Sequence, residues 1–132
     1  MPELPEVETV RRGLESHLTG RRIEKIELRR ADLRFPFPEG FATLLRGRLV
    51  ETVERRAKYL LIRLDGDVTW MCHLGMTGRW TLLGADSTQS DDEKHDWVVV
   101  HLENGGRAVF SDPRRFGFMD LFETAEQGQN KF

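Results

Sequence analysis

The chain has 132 residues, is 39% hydrophobic and 32% charged, and carries a formal net charge of −2. That length suits one domain, residues 1–132, with its own core, and the composition is that of a soluble globular protein. No apolar run approaches membrane-spanning length and the N-terminus lacks a secretory pattern. The single cysteine, Cys72, excludes an internal disulfide and a four-cysteine zinc site.

Chemistry begins at the first residues, Met1-Pro-Glu-Leu-Pro-Glu-Val-Glu8. A small second residue lets the initiator methionine be removed, which would expose Pro2 as a secondary amine. An α-amino group titrates near ~7.7–8.0, so part of it is unprotonated near neutral pH. Such an amine can attack an electrophilic carbon and form an iminium, with Glu3 beside it as a proton donor or acceptor. With Met1 retained, the Pro2 nitrogen would be locked in an amide and silent. The plainer reading is an acidic, proline-containing helix start, with Glu6 and Glu8 favoured by the helix dipole.

From Val7 to about Leu18, Val7, Val10, Leu14 and Leu18 share one helical face, and Gly20 is a stop. Arg22–Leu28 alternates apolar and charged residues as a half-exposed strand does. Arg34-Phe-Pro-Phe-Pro38 is an extended or turn segment, followed by a short helix around Gly40–Leu45. Strand patterns then cover Arg48–Val53, Tyr59–Leu64, Val68–Leu74, Arg79–Leu83, Trp97–Leu102, Arg107–Phe110 and Gly117–Phe122. Asp65-Gly66 and Asn104-Gly105-Gly106 are hairpin turns, 84–96 is a solvated acidic loop, and 127–132 reads as a domain edge. The implied fold is mainly β: an antiparallel two-sheet sandwich of about eight strands, with an N-terminal helix and a second short one.

Residues 1–60 carry 13 Lys/Arg against 10 Asp/Glu, and 61–132 carry 7 against 12. Arginine comes in pairs, including Arg55-Arg56 and Arg114-Arg115, and a planar, permanently charged guanidinium suits phosphate. Four segments join the N-terminus as candidates: Arg55–Leu61 with Lys58 breaking into an apolar strand, His73–Gly78 with Met76 between glycines, Lys94-His95-Asp96, and Ser111–Gly117. Singly each has a plain structural reading: Lys58 a strand-edge charge, Met76 core, His73 a satisfied histidine, Asp112–Gly117 an ordinary turn. Together they supply wedges for a base stack (Met76, Phe116), an arginine for the gap left by an expelled base (Arg114), and an amine for the flipped nucleotide.

These motifs, in order over essentially the whole chain, resemble the N-terminal domain of the formamidopyrimidine-DNA glycosylases. Leu4 and the Asp112–Gly117 block favour that branch over the related endonuclease VIII type, which has glycine at the fourth position. The resemblance implies base-excision repair by a bifunctional DNA glycosylase and AP lyase that removes 8-oxoguanine and formamidopyrimidines. It implies Pro2 as nucleophile at the sugar C1′, Glu3 in ring opening and proton transfer, and Lys58 at a phosphate near the lesion. His73 and Arg115 would be further backbone contacts, and Met76, Arg114 and Phe116 the void-filling trio, with Glu6 a possible pocket residue. Arg114 would donate to O2 and N3 of the orphaned cytosine, where adenine presents a donor instead.

By the same resemblance the family protein is about twice this length, its other half holding a helix–two-turn–helix element and a four-cysteine zinc finger. Zinc is therefore expected in that half and no cofactor in this chain, and the isolated domain is expected to be weak or inactive. The expected partner is double-stranded DNA with oxidised purines or abasic sites, bound by a monomer without a membrane, in a bacterial cytoplasm at the nucleoid. A catalytically silent lesion-binding module, or a β-sandwich that binds protein, stays open as an alternative.

Overall fold

Val7, Leu14 and Leu18 are buried together, so the face marked by the sequence periodicity is the face that docks. In the computed structural model, which describes residues 3–125, this helix is α1, Leu4–Leu18. It starts earlier than the apolar spacing alone indicates. Pro5 lies in the first turn, where its missing N–H costs no helical hydrogen bond. Glu3 is the N-cap, and its carbonyl accepts the Val7 amide at 3.0 Å. Pro2 and residues 127–132 lie outside the described residues.

The remaining elements are β1 (Ile23–Leu28), α2 (Phe41–Leu45), β2 (Val50–Arg56), β3 (Tyr59–Leu64), β4 (Val68–His73), β5 (Arg79–Leu83), β6 (Asp96–Leu102), β7 (Arg107–Ser111) and β8 (Phe118–Glu123). They form two antiparallel sheets, ordered β1-β6-β7-β5 and β2-β3-β4-β8. The fold is thus the eight-stranded, mainly β sandwich with two helices that the sequence implies. Trp70 of one sheet meets Trp80 of the other at 5.9 Å between centroids, and Trp80 meets Phe110 at 5.2 Å. Cys72 is wholly buried in the same core, and burial pushes its thiol up to about 12, the state of a structural cysteine.

Three local readings change. β2 begins at Val50 and runs to Arg56, rather than spanning Arg48–Val53. Gly47 at φ +82° and the hydrogen bond from Arg48 Nε to the Leu44 carbonyl belong to the turn after α2. Glu54, Arg55 and Arg56 instead pair with Leu61, Leu60 and Tyr59, which an edge strand tolerates because charge there opposes edge-to-edge association. Lys58 consequently leaves the strand and shares with Ala57 (φ +52°) the two-residue turn between β2 and β3. The acidic loop, finally, is pinned to the sheet: Asp91 accepts Arg107 at 2.6 Å and pairs with Arg29, both holding its carboxyl below the usual range.

Candidate active site and nucleic-acid interface

Strand register gathers the candidates at one end of the sandwich. Tyr59 pairs with His73 and His73 with Phe118, so the Ala57-Lys58 turn, the end of β4 and the start of β8 lie side by side. In the other sheet Arg79 pairs with Ser111, which brings the start of β5 and the end of β7 to one level. The β4–β5 connection carrying Met76 and the β7–β8 connection carrying Arg114, Arg115 and Phe116 therefore leave the sheets together.

The N-terminus of α1 reaches the same end. Lys58 Nζ stands 3.6 Å from Glu3 Oε2, an ion pair too long for a tight hydrogen bond, with the Glu3 side chain 71% exposed. Such an exposed pair is weak. Glu6 is exposed in the first turn of the helix. Glu8, read from sequence only as a dipole-favoured acid, is a clamp. It accepts Arg11, Arg12 and Arg55 at 2.9, 3.2 and 2.9 Å, and Arg11 and Arg55 hold its carboxyl down to about 2. Arg11 also donates to the Val53 carbonyl at 3.1 Å, so α1 is fixed to β2 just before the Lys58 turn.

His73 is half-buried, stacked on Phe118 at 5.1 Å with the rings 4° from parallel. Its Nδ1 accepts the Gly75 amide at 3.0 Å, so the proton of the neutral ring belongs on Nε2. Burial, then the charges of Lys58 and Arg34, lower its pKa. His73 is therefore a neutral N–H donor near neutral pH, which fits one hydrogen bond to a phosphate oxygen rather than an ionic contact.

Met76 and Phe116 are 43% and 41% exposed. The Arg114 guanidinium lies 5.2 Å from the Phe116 ring centroid, a cation–π contact that presents both as one projection. Arg115 takes φ +56°, a left-handed conformation uncommon for L residues. Arg114, Arg115 and Phe116 line an open cleft of about 440 Å³ with Leu33 and Arg34. Arg34 was not singled out in the sequence. Its amide donates to the Gly117 carbonyl at 3.1 Å, a tie from a proline-rich segment that no motif announces. Lys94-His95-Asp96 runs alongside, the His95 carbonyl accepting the Asp112 amide at 3.1 Å. Lys58, Glu3, His73, Met76, Arg114, Arg115 and Phe116 thus share one end of the molecule. Among the described residues no three His, Cys, Asp or Glu side chains converge as a metal site.

Residues 1–119 match the family model described as the formamidopyrimidine-DNA glycosylase N-terminal domain. The formamidopyrimidine-DNA glycosylase of Rhizobium etli is 51% identical over 144 residues, covering 100% of this chain and 49% of that protein. The one from Ruegeria pomeroyi is 50% identical, covering 99% of this chain and 48% of its own length. The chain spans about half the length of the curated relatives it matches. Among solved structures, a Lactococcus lactis Fpg bound to abasic-site DNA superposes with a TM-score of 0.82 at 33% identity, covering 95% of this chain and 45% of that one. The Lactococcus lactis complex with FAPY-dG-containing DNA gives 0.81 at 34% identity, over 94% and 45%.

Proposed function

The chain belongs to the formamidopyrimidine-DNA glycosylase N-terminal domain family, and we propose that it is the nucleophile-bearing half of a base-excision repair glycosylase with AP lyase activity, acting on oxidised purines in duplex DNA. The observation that carries this reading is the convergence of Glu3 and Lys58 with the exposed Met76, Arg114 and Phe116 at one end of the sandwich. Pro2 precedes Glu3 in the chain and, in this reading, has the role of nucleophile, with Glu3 as proton carrier and the neighbouring residues as phosphate donors and stacking wedges.

The chemistry follows from those groups. With Met1 removed, the Pro2 nitrogen lone pair forms a bond to the sugar C1′ while the glycosidic bond breaks, and the departing base takes up the proton that the new ammonium sheds. Glu3 hands a proton to O4′ as the C1′–O4′ bond opens, leaving an iminium between Pro2 and C1′. Loss of a C2′ proton expels the 3′ phosphate, a second elimination expels the 5′ phosphate, and water then releases Pro2. Lys58, His73 and Arg115 hold the backbone around the extruded nucleotide, and Met76 and Phe116 fill the space it leaves. Arg114 faces the orphaned base, donating to the acceptors of cytosine and disfavouring adenine.

In this reading a zinc finger belongs to the other half of the polypeptide, which supplies much of the DNA grip. This chain alone is weak or inactive on intact lesions. Borohydride trapping on a duplex containing an abasic site, after an intact mass that reports loss of Met1, tests the proposal. The expected result is a slowly formed covalent adduct mapped to the N-terminal peptide. An adduct mapped elsewhere overturns it, as does none even when the chain is fused to the C-terminal half of the Rhizobium etli relative.

A further inference from the structure

One carboxylate ties the two wedge-bearing connections together. Asp112 is fully buried at the mouth of the β7–β8 connection. Its Oδ1 accepts the Thr77 hydroxyl at 2.6 Å and its Oδ2 accepts the Gly117 amide at 2.9 Å. The Thr77 oxygen accepts the Arg114 amide at 3.1 Å. Thr77 follows Met76 directly, while Arg114 and Gly117 bracket Phe116. A single relay therefore runs from the residue beside one wedge to the backbone on both sides of the other.

Two further contacts make the junction rigid. A Cβ at Gly75 would lie 2.4 Å from both the Gly117 nitrogen and the Phe116 carbonyl carbon, so the backbones touch where only glycine fits. The Asp112 main chain is also held from behind, its carbonyl accepting Trp97 Nε1 at 2.8 Å and its amide bonding to His95. The carboxylate thus has a fixed origin, and the bonds it makes set where both turns sit relative to the sandwich.

We propose that Thr77 and Asp112 are positioning residues that lock the Met76 turn and the Arg114–Phe116 turn into one preassembled unit, so that all three side chains enter the duplex together. Ordering two independent turns at the moment of binding would be paid from binding free energy, and a prebuilt unit avoids that. The inference rests on the proposed DNA reading, because the unit's purpose is insertion. The hydroxyl matters more than the shape of residue 77, since it is donor and acceptor in the same relay.

Thr77→Val keeps the shape and removes the hydroxyl; Thr77→Ser keeps the hydroxyl. Amide exchange of Arg114 in the chain alone reads the relay. Binding to duplexes carrying a tetrahydrofuran abasic analogue opposite cytosine or adenine, and to an intact duplex, reads insertion. Thr77→Val is expected to lose Arg114 amide protection and some thermal stability, since it strands a buried carboxylate oxygen, while remaining folded. Its affinity for the abasic-analogue duplex should fall about 3- to 10-fold, the size of one hydrogen-bonded link. Its preference for cytosine should shrink, its affinity for intact duplex should hold, and Thr77→Ser should restore wild-type values. Wild-type affinity and base preference in Thr77→Val overturns the inference, as does an equal loss on intact duplex. A wild-type chain that does not distinguish abasic-analogue from intact duplex even when fused to the C-terminal half of the Rhizobium etli relative overturns the DNA reading itself, and the inference with it.

Discussion

Replacing Gly75 by alanine separates backbone strain from a packing contact. Gly75 and Gly20 both hold left-handed backbone, at φ +63° and +78°. At Gly20 nothing lies within 4 Å of an added Cβ, whereas at Gly75 the Cβ meets the Gly117 nitrogen and the Phe116 carbonyl carbon at 2.4 Å. An L residue in that region costs about 1–2 kcal/mol, and this applies at both sites. Overpacking adds typically 1–3 kcal/mol and applies only at Gly75, where the neighbours are backbone and cannot swing away. Gly20→Ala should therefore lose about 1–2 kcal/mol and Gly75→Ala roughly 2–5 kcal/mol. With a urea m-value of about 2 kcal/mol/M, the two midpoints should differ by roughly 0.5–1.5 M. Equal midpoint shifts in urea unfolding would refute the claim that the two turns touch backbone to backbone.

Acid sensitivity should follow the Glu8 clamp. Its folded carboxyl lies near 2 against an ordinary 4.5, so its contribution is complete above the ordinary value and disappears as pH falls towards about 2. Glu8→Gln should flatten that limb of the stability profile, read by urea midpoints across the acid range. His73 should titrate below its ordinary 6.5 in an NMR titration, and Lys58→Met should move it upward by removing a neighbouring positive charge. Because the folded form is the poorer proton acceptor, the stability from neutral His73 is present above the ordinary value and lost as pH falls below it.

The sequence showed what repeats locally. The spacing of Val7, Leu14 and Leu18 marked a helix, and alternation or apolar runs between Gly and Asn turns marked the strands. It misplaced β2 because Glu54-Arg55-Arg56 resembles no strand until its edge position is known, and because the turn at Ala57-Lys58 lacks the usual glycine or asparagine. The site was legible as a set of motifs but not as a geometry. Thr77 and Asp112 lie 35 residues apart and Glu8 and Arg55 lie 47 apart, so nothing in local spacing joins them.

Charge explains how an acidic domain can present a face for an anionic polymer. The net charge of −2 counts every carboxylate equally, but the fold pairs some of them with arginines and turns others inward. Glu8 is absorbed by three arginines of α1 and β2, and Asp91 by Arg29 and Arg107. Asp96 is buried against the Ser111 hydroxyl, and Asp112 is turned inward to Thr77 and Gly117. Among the described residues no ion pair joins Arg34, Arg114 or Arg115 to a carboxylate. These three guanidinium groups line one cleft, with the Lys58 ammonium 3.6 Å from Glu3 on the same end. Three arginines are thus concentrated in one cleft although the total charge is negative, and under the proposed function that local distribution, rather than the composition, is what an approaching phosphate backbone would meet.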